Sequence, residues 1–88
     1  MRNLDEIRKD INRIDAELLN LFKERMDCAK EVGEYKKANG IPVLNADRER
    51  EILDKVELDG GEYGGYAREL FEKLMELSRE LQHSIIEN

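Results

Sequence analysis

Residues 4–38 read LDEIRKDINRIDAELLNLFKERMDCAKEVGEYKKA, and the spacing of the apolar residues in this stretch decides the fold. They recur three and four apart: Leu4, Ile7, Ile11, Ile14, Leu18, Leu21, then position 25, then Cys28, Val32 and Tyr35. That is a heptad pattern held over more than four heptads. No proline interrupts it, and no glycine before Gly33. The spacing predicts one helix from Leu4 to Ala38, closed by Asn39-Gly40 as a left-handed cap. Such a helix is about 50 Å long at about 1.5 Å per residue. A compact domain near this size has a radius of gyration of roughly 13 Å. A helix that outruns its own domain must pack against something outside its own chain, so an oligomer is expected from length alone.

The rest of the chain is punctuated clearly. Ile41-Pro42-Val43-Leu44 is expected to be extended, because proline biases its predecessor away from helix. Asn45 is a good N-cap and Asp47 suits a first turn. A short helix is predicted from Ala46 to Val56, with Ile52, Leu53 and Val56 as its apolar face. Four of the six glycines fall between Asp59 and Gly65, which reads as a turn. A third helix is predicted from Tyr66 to Ile86, with Ala67, Leu70, Phe71, Leu74, Met75, Leu77, Leu81 and Ile85 as its stripe. There is no strand-like alternation. The expected fold is all-α, with three helices per chain and a single domain over residues 1–88.

Composition removes several function classes. The chain is 41% charged and 40% hydrophobic, too charged for a membrane span and too apolar for an ordinary disordered tail. No run approaches the roughly 18 apolar residues of a transmembrane helix. The start, Met1-Arg2-Asn3-Leu4-Asp5-Glu6, has no apolar core, so no signal peptide is expected. The one cysteine, Cys28, rules out an intrachain disulfide and a Cys-based zinc site, and a reducing cytoplasm fits. Net charge is -6 with no basic block, so nucleic acid is not an expected partner. A membrane is not expected as a partner either.

The informative residues are polar ones at apolar positions. Arg25 stands where the heptad asks for a hydrophobe. A buried unpaired cation costs several kcal/mol, so Arg25 needs an anion. Two sources fit: a glutamate of the bundle, or an anionic ligand held inside it. Lys36 follows about three turns later, within roughly 20° of the same direction and about 16 Å along the axis. The two side chains reach far enough to grip one small dianion. Arg8 flanks the same seam about 25 Å before Arg25, too far for one ligand on a straight helix. If Arg8 serves a site, it serves a partner's; otherwise it is a surface arginine.

Glu49 shares a helix face with Leu53 and Val56, which turns it inward. A first-turn glutamate also complements the helix dipole without any ligand. Arg48 beside it gains nothing from the dipole. Ser78 and Gln82 form an i,i+4 pair within an apolar stripe, and both need hydrogen-bond partners. His83, Cys28 and the glycine-rich turn carry no nucleophile, metal-ligand or phosphate-loop pattern.

The order of these residues resembles the all-helical chorismate mutases, the AroQ class, over nearly the full length. The resemblance is carried by Ile7-Arg8-Lys9-Asp10-Ile11 with Ile14-Asp15, then by Leu21-Phe22-Lys23-Glu24-Arg25. Val32-Gly33-Glu34-Tyr35-Lys36, Pro42-Val43 and Asp47-Arg48-Glu49-Arg50-Glu51 follow, and Ser78-Arg79-Glu80-Leu81-Gln82 completes it.

The resemblance implies an intertwined helical homodimer that converts chorismate to prephenate with no cofactor and no metal. It assigns the two substrate carboxylates to Arg25 and to Arg8 of the other subunit. Lys36 holds a carboxylate and the ether oxygen of the breaking bond, and Gln82 donates to that oxygen. Glu49 and the backbone at Asn45 hold the ring hydroxyl. Ser78 helps at a carboxylate, and Arg48 supports Glu49. Asn45 departs from the aspartate frequent in the family, and the connection between the second and third helices is short. An isochorismate–pyruvate lyase shares this fold and pocket type, and a helical dimerisation or regulatory module is the non-enzyme reading. Gln82 with the Arg48-Glu49 pair leans toward the mutase.

Overall fold

The computed structural model describes all 88 residues as three α-helices. α1 spans Leu4–Asn39, α2 spans Ala46–Asp59 and α3 spans Gly64–Ile86. α1 starts where Asn3 accepts the backbone N–H of Glu6 at 2.9 Å, with Asp5 and Glu6 in the first turn. Such a cap is worth about 1 kcal/mol. It stops at Gly40, left-handed at φ 63°, whose N–H returns to the Lys36 carbonyl. Asn45 caps α2 by accepting the N–H of Arg48 at 3.1 Å.

The junction between α2 and α3 differs from the sequence expectation. α2 runs on to Asp59 rather than ending at Val56, and α3 begins at Gly64 rather than Tyr66. Only Gly60 and a single 3-10 turn, Gly61–Tyr63, separate them. The reason is close approach. A Cβ on Gly64 would lie 2.2 Å from the Glu57 carbonyl oxygen, so only glycine lets the two helices fold back this tightly. The glycines there read as loop because their packing role is invisible without the partner helix.

α3 is the central element and packs against both α1 and α2, which do not pack against each other. Arg68 of α3 clasps α2 through Asp54 at 3.0 Å and Glu57 at 3.4 Å, and Glu72 lies 3.5 Å away on its own helix. The hydrogen bond to Asp54 raises the Arg68 guanidinium further above its ordinary value. Lys37 of α1 donates to the Ile85 carbonyl at 3.2 Å, at the end of α3.

The molecule is elongated, 55 × 25 × 13 Å, with a radius of gyration of 16.3 Å. That exceeds the roughly 13 Å of a compact chain of this length. The first half of α1 is the cause. From Ile11 to Leu21 every residue of its seam is exposed, Leu18 at 53% and Leu21 at 60%. Only six residues of the chain are buried, too few for a core that stands alone. No helix is long and apolar enough to cross a membrane.

Candidate active site

A cleft of about 350 Å³ opens where the second half of α1 meets α2 and α3. α1 contributes Arg25 and Lys36 to its lining, the start of α2 contributes Asn45, Arg48 and Glu49, and α3 contributes Ser78, Arg79 and Gln82. Ala29, Val32, Val43, Ile52 and Met75 form the apolar wall, and Cys28 joins it. The volume falls within the range of pockets that enclose small organic ligands. Four cations face one carboxylate across this space, so the cleft is suited to an anion.

Arg25 is half-buried and forms no ion pair with any carboxylate of its own chain. Of the two anion sources open from sequence, an internal glutamate is absent. Lys36 is also half-buried. Its Nζ donates to the Val43 carbonyl at 2.7 Å, which ties the 41–44 segment, bent at Val43, to the cleft and leaves further N–H groups to donate. Val43 is buried beneath it.

Gln82 is the most deeply buried polar residue, 6% exposed. Gly33 makes this possible: α3 comes so close that a Cβ there would meet the Gln82 Cα at 3.3 Å. The Gln82 Nε2 donates to the Ser78 hydroxyl at 3.0 Å, and its Oε1 has no partner. Buried polar atoms without partners are rare enough to point to a ligand or a water. The side-chain oxygen of Asn45 is committed to its cap, so the backbone is what Asn45 offers the cleft.

One expectation needs correcting. Arg48 does not hold Glu49; it lies 3.8 Å from Glu51 on the solvent side. The guanidinium on Glu49 belongs to Arg79 of α3. Arg79 sits four residues after Met75 and three before Gln82, the spacing that places it on the pocket face, and that spacing could have revealed it. Arg8 is exposed, far up the uncovered half of α1 and outside the cleft. One chain brings seven of the eight expected residues together and leaves Arg8 apart.

The fold and the cleft define a class: a three-helix protein with a cation-lined cleft between a long helix and a short helical hairpin. Comparison with known proteins is specific. Residues 7–83 match the family model described as chorismate mutase type II, and the chain belongs to that family. It is 42% identical over 82 residues to a bifunctional chorismate mutase/prephenate dehydratase of Aquifex aeolicus, covering 92% of this chain but 22% of that protein. It is 34% identical over 90 residues to a chorismate mutase of Methanocaldococcus jannaschii, covering 99% of this chain and 91% of that one. A solved structure of a conserved hypothetical protein from Pyrococcus furiosus superposes with a TM-score of 0.73 at 35% identity, over 90% of this chain and 93% of its own.

Proposed function

We propose that the protein is a chorismate mutase. It rearranges chorismate to prephenate within the cleft, in the cytoplasm, for aromatic amino acid biosynthesis. The observation that carries this is the convergence of Arg25, Lys36 and the buried Gln82 on one cleft, with Arg25 unpaired by its own chain. Family membership supports the substrate.

The reaction is pericyclic. The ether C–O bond breaks as a C–C bond forms between the enolpyruvyl methylene and the ring, and no nucleophile or proton transfer is needed. Negative charge grows on the ether oxygen as its bond stretches. Lys36 and Gln82 are the donors for that oxygen. Turning the Gln82 amide end for end lets Oε1 accept a hydrogen bond from the Ser78 hydroxyl and frees Nε2 to donate. Donors fixed in a water-poor site bind this charge better than they bind the substrate. Arg25 holds one carboxylate, Ser78 assists, and the grip folds the flexible enolpyruvyl chain over the ring. Arg48 adds positive charge at the mouth. Glu49 and the Asn45 backbone take the ring hydroxyl.

The working unit is a homodimer of intertwined chains. The uncovered seam Ile11, Ile14, Leu18 and Leu21 supports this, because a second copy supplies a matching apolar stripe. In such a pair the partner's Arg8 reaches the second carboxylate. The test is chorismate consumption by the wild type against Arg25→Ala. Prephenate formation that collapses in the variant is the expected result. A folded wild type that leaves chorismate untouched would overturn the reading.

A further inference from the structure

The ion pair between Glu49 and Arg79 joins two helices at the wall of the cleft. Glu49 opens α2, and Arg79 reaches it from the middle of α3, thirty residues away in sequence. Both are sheltered, at 24% and 32% side-chain exposure. Arg79 has a carboxylate closer to it in sequence. Glu76 lies one turn back on the same helix but pairs with Lys73 at 3.3 Å. The same two residues also line a neighbouring groove whose other walls carry Glu69, Glu72 and Glu76, so the pair stands between the cleft and an acidic surface.

The contact is single-pronged. The Arg79 Nη1 meets the Glu49 Oε1, and the other carboxylate oxygen has no protein partner. A carboxylate can accept about four hydrogen bonds over its two oxygens, so Glu49 retains capacity after binding Arg79. The cleft also holds Arg25, Lys36 and Arg48. A glutamate left loose among them would seek the cations that an anionic ligand needs.

We infer that Arg79 is a positioning residue that holds Glu49 away from Arg25 and Lys36 and aims its second oxygen at the substrate's ring hydroxyl. Arg79 thereby sets the preference for a hydroxylated ring. The inference rests on the mutase reading above. The hydroxyl stands on the carbon next to the breaking C–O bond but gains and loses no bond itself, and the charge develops on the ether oxygen, so this contact acts nearly alike on substrate and transition state. Its loss raises KM and leaves kcat nearly unchanged.

The experiment compares chorismate with an analogue whose ring hydroxyl is replaced by hydrogen, using wild type, Arg79→Met, Arg79→Lys, Glu49→Ala and the Arg79→Met/Glu49→Ala double variant. A hydrogen bond to a charged group sets the scale at about 10- to 100-fold in kcat/KM. Wild type is expected to prefer chorismate by that factor. Arg79→Met loses the preference through KM, Arg79→Lys keeps part of it, and the double variant is no worse than Glu49→Ala. Thermal unfolding accompanies each variant, since a merely structural loss lowers activity on both substrates and leaves their ratio intact. Arg79→Met with an unchanged ratio would overturn the inference while leaving the mutase reading in place. A wild type inactive on chorismate would overturn both.

Discussion

Gly33 of α1 and Gln82 of α3 touch backbone to backbone: a Cβ on Gly33 would come within 3.3 Å of both the Cα and the Cγ of Gln82. The crossing of the two helices and the depth of the buried amide are therefore one feature. A larger residue at 33 pushes α3, and with it Gln82, out of the cleft. Gly33→Val is expected to cost about 1–3 kcal/mol of stability through overpacking. Its kcat is expected to fall at least tenfold, because a donor displaced by about 1 Å loses much of its effect. Thermal unfolding and steady-state kinetics check both. Wild-type kcat in a destabilised Gly33→Val would detach Gln82 from the chemistry.

Gln82 is neutral, and histidine is the side chain whose ordinary titration falls between about pH 5 and 8. The one histidine, His83, is exposed and outside the cleft. Wild-type kcat is therefore expected to be flat across that range. Gln82→Glu should behave differently. A carboxyl donates only when protonated, and burial favours the protonated form by raising its pKa. Activity of the variant is present below that raised pKa and is lost as pH rises through it. A pH–rate profile for both proteins decides the matter; a flat profile for Gln82→Glu would show that no donor is needed at position 82.

Gly64 and Gly65 are adjacent but face different surroundings. A Cβ on Gly64 meets the Glu57 carbonyl oxygen at 2.2 Å, whereas one on Gly65 meets nothing within 4 Å. Gly64→Ala is expected to lose about 1–3 kcal/mol, since backbone must move to admit the methyl. Gly65→Ala is expected to gain about 0.5–1 kcal/mol from reduced chain entropy within a helix. Chemical denaturation of the two variants gives the sign directly. Equal effects would mean that the tight α2–α3 junction does not form.

The long helix was legible in the sequence because two signals agreed: a heptad stripe that no proline interrupts, and Asn39-Gly40 at its end. The cleft residues of α1 were legible from the same pattern, since Arg25 breaks that stripe and Lys36 lies on its face. The glycine-rich junction was not. Four glycines in seven residues signal a turn as strongly as they signal two helices in contact, and only the position of the Glu57 carbonyl separates the two. Arg79 is less legible, because an arginine between a serine and a glutamate on a charged helix looks like solvated surface. Its meaning depends on Glu49, which the fold alone brings to it.

The central claim is that chorismate is held between Arg25 of one subunit and the partner's Arg8. Mixing two inactive proteins tests it most directly. Arg8→Ala and Arg25→Ala subunits, unfolded together and refolded, form mixed dimers in which one site keeps both arginines. About a quarter of wild-type activity is expected from an equal mixture, since half the dimers are mixed and each holds one intact site of two. Activity that stays at the level of the separate variants, in a mixture shown to contain mixed dimers, would contradict the shared site.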